Sequence, residues 1–189
     1  MAGKLEHKIS VSDYLELEKC SEVRHEFVDG EILAMAGEKR RHNRIAGRIY
    51  AALLETAIAR DCEIAFESVK IRTRGTRIRY PDIAVSCAPG NDEYFLENPC
   101  FIAEVLSSTT EKTDLTLKLD EYKNLPSLER YALLSQNQRF VVLYKRVLDH
   151  WEVITLEDKG EIDLPCLETT LTLEQIYAGI RFEPEKEDV

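Results

Sequence analysis

Between Tyr80 and Tyr122 two acids and a lysine stand on runs that read as strand, strand and helix. Asp82 follows Tyr80-Pro81 and precedes Ile-Ala-Val, Glu104 interrupts Phe-Ile-Ala-Glu-Val-Leu, and Lys118 lies on the helix-like run beyond. Carboxylates are hard oxygen donors, and two of them suffice for a Mg²⁺ ion that keeps several waters. Such an ion neutralises a phosphodiester and lowers the pKa of a bound water, while a fixed ammonium steadies an anion or a water. The trio suits metal-dependent phosphate chemistry, provided that folding brings it together. Asp82 and Glu104 are 22 positions apart, on runs able to pair side by side. Pro81 has no N–H for a ladder, which reads as a strand edge or a bend that aims Asp82.

The supporting residues each admit two readings. Asp114, Lys118 and Tyr122 recur at i, i+4 and i+8 and so share a helix face. They either join the site or form an exposed pair worth a few tenths of a kcal/mol. Glu26 lies near the same site or on a solvated edge. His42 opens a helix, as a cap or surface residue, or within reach of a phosphate. Lys70, Arg72 and Arg74 alternate with Ile71 and Thr73 on one strand face. That face is either a charged edge that discourages aggregation or a ribbon that tracks phosphates.

The elements that must position these residues are legible from period and punctuation. A helix is expected from about Ser12 to Lys19, capped by Ser10 or Ser12. Asp29-Gly30 between apolar runs signals a hairpin. From His42 to Ala59, Ile45, Ile49, Leu53 and Ala57 form one buried stripe, with Arg44 and Arg48 beside it. Strands are expected over 63–74, 77–87, 100–106, 130–134, 140–145 and 151–156. Thr113 caps a helix running to Asn124, and a last helix spans 172–178. The sum is an α/β (α+β) chain: a central mixed sheet flanked by helices, with an N-terminal helix and hairpin.

The 189 residues suit one domain, with a core over about 12–180 and an acidic tail at 183–189. Hydrophobic content of 44% supports a real core. No apolar run approaches the roughly 20 residues of a membrane helix, and the first residues lack a signal peptide's apolar stretch, so a cytoplasmic protein is expected. The five cysteines are odd in number and none sits at Cys-x-x-Cys spacing. A disulfide framework or a zinc knuckle is therefore not expected, and the cysteines read as small buried hydrophobes in a reducing compartment. Net charge is −10, but unevenly spread. Residues 1–80 hold 15 Lys/Arg against 13 Asp/Glu, and the remainder hold 10 against 22. Two basic clusters, at 39–48 and 70–79, offer local patches for phosphates despite the overall sign.

Five pieces together resemble the Uma-two family of restriction-endonuclease-like PD-(D/E)xK nucleases. They are Arg24-His-Glu26-Phe-Val-Asp29-Gly30-Glu31; His42-Asn-Arg44-Ile45; Tyr80-Pro-Asp82-Ile; Glu104-Val-Leu-Ser107-Ser-Thr-Thr with Asp114, Lys118 and Tyr122; and Leu125-Pro-Ser-Leu-Glu-Arg-Tyr131. The resemblance spans about residues 12 to 180. It implies a restriction-endonuclease-like core in which Asp82 is the PD aspartate and Glu104 the second acid. The lysine that usually follows that acid after one residue is replaced by Leu106, which puts its role on Lys118. Ser108 stands where the family usually has proline. The resemblance further implies Mg²⁺ or Mn²⁺ held by Asp82, Glu104 and the Val105 carbonyl, with Glu26 as an additional catalytic acid. His42, Tyr122, Arg44, Arg72 and Arg74 would contact the substrate. The expected activity is endonucleolytic hydrolysis of nucleic acid, most simply DNA, by a homodimer. The alternative is an inactive nucleic-acid-binding or dimerising module linked to mobile elements.

Overall fold

The computed structural model describes residues 8–35, 37–107 and 114–182, with Asp114 and Leu115 as backbone only. The acidic tail, Ser108 and the Thr113 cap lie outside the described residues. Helix α1 (Val11–Cys20) begins at Ser10, whose hydroxyl accepts the Asp13 N–H. Strands β1 (His25–Val28) and β2 (Glu31–Ala34) form the Asp-Gly hairpin. Asp29 and Gly30 have φ of 52° and 99°, the positive pair that a tight two-residue turn demands. Helix α2 (Arg40–Ala59) buries the expected stripe and adds His42 and Ala46 to it. Ile45, Ile49 and Leu53 are at most 1% exposed. Each contributes about 1.5–3 kcal/mol by leaving water.

The chain continues through β3 (Glu63–Phe66), β4 (Ile71–Arg74), β5 (Arg77–Arg79), β6 (Ile83–Ser86) and β7 (Phe101–Leu106). A π-helical turn (Asp114–Lys118) runs into α3 (Leu119–Lys123). Then come β8 (Arg130–Ser135), β9 (Phe140–Val147), β10 (His150–Glu157), β11 (Glu161–Leu164), a 3₁₀ turn (Pro165–Leu167), β12 (Thr169–Thr172) and α4 (Leu173–Ile176). A six-stranded mixed sheet has the order β10-β9-β8-β7-β6-β3, with β7 and β8 parallel and the other neighbours antiparallel. A four-stranded sheet has the order β2-β1-β5-β4. The α2 stripe packs on one face of the large sheet with β12 and α4, and Tyr122, Leu125 and Leu128 cover the other. Tyr14 of α1, Phe27, Ile78 and Phe95 form a smaller core on the second sheet. Among the described residues no helix is long and apolar enough to cross a membrane.

Three sequence expectations need correction. The runs 63–74 and 77–87 are not single strands; each leaves one sheet and joins the other. The first breaks where Glu67 takes φ 55°, the second at Tyr80-Pro81-Asp82, where proline donates nothing to a ladder. The Glu67 N–H donates to the Asp82 carbonyl at 3.0 Å and locks the two crossings together. The β11–β12 hairpin was not expected. The cysteines are not isolated hydrophobes: Cys62 is bonded to Cys87 and Cys100 to Cys166, while Cys20 is free and exposed. Register explains the first bridge, because the Glu63↔Ser86 pair sets 62 and 87 opposite one another at the next step.

Candidate active site

Strands β6 and β7 bring Asp82 and Glu104 to one place. Their register pairs Ile83 with Ala103, so one further step sets Asp82 opposite Glu104. Asp82 Oδ2 accepts the Val105 N–H at 2.6 Å, and His42 Nε2 stands 3.1 Å from the same oxygen. Among the described residues, both contacts of this carboxylate fall on Oδ2. Asp82, His42 and Arg44 line one cleft of about 610 Å³, together with Arg24, Arg40 and Glu67. Burial works against a charged His42, but the Asp82 hydrogen bond and the nearby Glu38 and Glu67 outweigh it and raise its pKa above 6.5. The Arg44 guanidinium also donates to the Gly179 carbonyl at 2.8 Å, which fixes it to the C-terminal segment.

Behind the cleft lies a set of buried charges. Glu104 is 3% exposed, and its Oε1 accepts from the Tyr122 hydroxyl at 3.0 Å and the Lys118 ammonium at 3.3 Å. Lys118 also contacts Glu26 Oε1 at 3.1 Å. Burial first, then the Glu104 charge, push the Tyr122 phenol well above its ordinary 10.0, so it stays a donor. Lys118 and Tyr122 share a helix face as their spacing requires; the Asp114 side chain lies outside the described residues. Lys118 is the last residue of the π-helical turn, immediately before α3, and such turns are frequent at functional sites.

Glu121 was not singled out from the sequence, and Arg79, expected within the 70–79 basic cluster as part of a patch for phosphates, is instead buried against acids. Arg79 is fully buried; it donates to Glu26 at 2.7 Å and grips Glu121 twice, at 2.9 and 2.6 Å. Glu121 is also buried, and it accepts from Thr73 and Arg77 as well. Burial alone would raise the Glu121 pKa, but Arg79 and its other donors lower it below 4.5. The one sequence signal was Glu121 at i+3 from Lys118, on the same helix face. Arg72 and Arg74 are exposed on β4, away from the cleft lining; Arg72 stacks on Phe95 at 5.1 Å. Lys70 does not share their solvated face: it is buried among Tyr80, Tyr94 and Phe95.

The donor set suits a hard divalent ion. Asp82 and Glu104 supply carboxylates from adjacent strands, and Asp82 also lines the cleft. A family model described as "Uma2: Putative restriction endonuclease" matches residues 11–174. The chain belongs to the Uma2 family. Within Synechocystis sp. it is similar to "Uncharacterized protein slr1290", 30% identical over 179 residues and covering 93% of this chain and 94% of that one. It is also similar to "Uncharacterized protein sll1609", 28% identical over 162 residues, with coverage of 82% and 92%. Its fold resembles a crystal structure of a "putative nuclease belonging to DUF820" from Anabaena variabilis. That likeness has a TM-score of 0.71 at 20% identity and covers 89% of this chain and 97% of the other. The Uma2 relationship therefore rests on sequence over most of the chain, and the nuclease-like mixed α+β fold on structure.

Proposed function

We propose that this Uma2 protein is a metal-dependent endonuclease that hydrolyses phosphodiester bonds of nucleic acid, with DNA as the substrate. The observation that carries the reading is the junction at Val105. Its N–H holds Asp82, while the preceding residue, Glu104, meets Lys118, and Lys118 meets Glu26. Asp82, Glu104 and the Val105 carbonyl would hold Mg²⁺ or Mn²⁺, which supplies charge neutralisation and an acidified water. Lys118 orients the attacking water and offsets negative charge developing on the phosphate. Tyr122 and Arg79 fix Glu104 and Glu26, so that the acids and the ammonium need no reorganisation during reaction. His42 holds Asp82 in place at the wall of the cleft. Arg44 lies in the cleft, with Arg24 and Arg40 beside it, and contacts the backbone there; Arg72 and Arg74 contact it farther along.

The same cleft supports a second reading, an inactive nucleic-acid-binding module, because its arginines would attract phosphates without any metal. The edge strand β10, with Val153 54% exposed, favours the homodimer, which sedimentation would detect. We place the protein in the cytoplasm with its substrate. The deciding experiment incubates plasmid and single-stranded substrates with Mg²⁺, Mn²⁺ or EDTA, using wild type, Asp82→Ala and Lys118→Ala. Cutting by wild type with metal alone, abolished in both variants while binding by Asp82→Ala persists, supports the nuclease. Equal behaviour of all three proteins removes it, and binding without cutting selects the module.

A further inference from the structure

Three sulfurs from three separate stretches of chain meet at the end of β6 and β7 opposite to Asp82 and Glu104, and a fourth, from Cys62, is bonded to one of them. Cys62 lies at the corner between α2 and β3, Cys87 follows β6, Cys100 precedes β7 and Cys166 sits in the 3₁₀ turn. The Sγ atoms of Cys87, Cys100 and Cys166 all lie within 4.8 Å of one another, and Cys62 is bonded to Cys87. Two independent bridges have no reason to stack sulfur on sulfur. A tetrahedral ion does: at a Zn–S bond of about 2.3 Å, thiolate sulfurs stand roughly 3.8 Å apart.

The convergence does not depend on the bridges. The β3–β6 ladder pairs Glu63 with Ser86 beside Cys62 and Cys87. The Cys100 N–H donates to the Val85 carbonyl at 2.8 Å, which ties Cys100 to the end of β6. Arg60 and Glu168, each two residues from a cysteine, form an ion pair at 2.6 Å that joins the Cys62 corner to the Cys166 turn. Reduction therefore leaves four thiols on a scaffold that still holds them together. Cys87 is exposed and Cys100 buried, so the cluster has a side open to an entering ion.

We propose that Cys62, Cys87, Cys100 and Cys166, once reduced, form a tetrathiolate site for Zn²⁺. Two molecules of a dithiol reductant deliver four electrons and four protons to the two bridges and leave as two cyclic disulfides. The four thiols then release four protons as the ion binds, giving a closed site of net charge −2. Thiolates select zinc, whereas the acids at the other end of the same strands suit magnesium.

The test uses the full chain, reduced with a phosphine under anaerobic conditions and titrated with Co²⁺. The expected result is one equivalent showing strong thiolate-to-cobalt charge transfer and tetrahedral ligand-field bands, displaced by Zn²⁺. The spectrum persists in Asp82→Ala, which separates this site from the acidic one, and in Cys20→Ser. Cys62→Ser and Cys166→Ser each lose one thiolate ligand, which weakens binding and lowers the charge-transfer intensity. A reduced wild type without the tetrahedral spectrum overturns the proposal, whatever the folding of the variants. So does a spectrum that Cys166→Ser leaves unchanged or that Asp82→Ala abolishes.

Discussion

Arg79 holds the buried acids in register: it is the side chain that Glu26 and Glu121 share, and it has no contact with water. Replacing it with methionine keeps the packing but takes from two buried carboxylates a charged partner that they share, leaving Glu26 with Lys118 and Glu121 with Thr73 and Arg77. Arg79→Met should cost about 3–5 kcal/mol in urea unfolding, the usual penalty for removing one partner of a buried ion pair. Glu121 gives the matching pH dependence. Its folded pKa is below 4.5, so its stabilising effect is present above that value and lost as pH falls through the folded pKa. The stability difference between wild type and Glu121→Gln should therefore shrink on acidification below pH 4.5, as measured by denaturant titration. Asp82 and Glu104 stood out by residue type and neighbourhood, whereas Lys118 and Glu26 took their roles from the family resemblance, because each also reads as a surface charge. The Arg79–Glu121 pair was not legible, because partners 42 positions apart on a strand and a helix leave no local period to read.

At the level of elements, the hairpin is a positioning device, since it carries Glu26 to Lys118. Gly30 sits at φ 99°, and a Cβ added there would lie 2.7 Å from the Lys8 Cβ. Gly30→Ala should destabilise the fold by about 1–3 kcal/mol through backbone strain. It should also lower cleavage more than Ala34→Gly on the same hairpin, by thermal melting and plasmid nicking respectively. This hairpin, α2 and β7 were plain in the sequence because each has an unbroken period or a specific turn pair. The breaks at Glu67 and Pro81 were not, because alternation looks the same on both sides of a change of sheet. Residues 161–172 escaped notice since only Ile162, Leu164, Leu167 and Leu171 are apolar core there, spread over two short strands and a turn. The cysteine reading failed for a related reason: spacing along the chain says nothing about register across it.

For the whole molecule, a net charge of −10 coexists with a cleft that gathers Arg24, Arg40 and Arg44. Nucleic-acid affinity in EDTA should fall steeply with salt. Arg40→Gln should flatten that log–log slope by roughly 0.9 if it removes one phosphate contact, as read by fluorescence anisotropy. The two crossings between sheets carry a separate consequence. Chain order and spatial order are interleaved at Glu67 and at Pro81-Asp82, so neither layer corresponds to a contiguous stretch of gene. A recombination breakpoint between them would hand each descendant half of both layers and no cleft. Modular inheritance is thereby closed to the interior of this chain. Growth and fusion are left to protruding tips such as Leu148, 91% exposed at the β9–β10 turn, where new sequence can be spliced in without unpicking the weave.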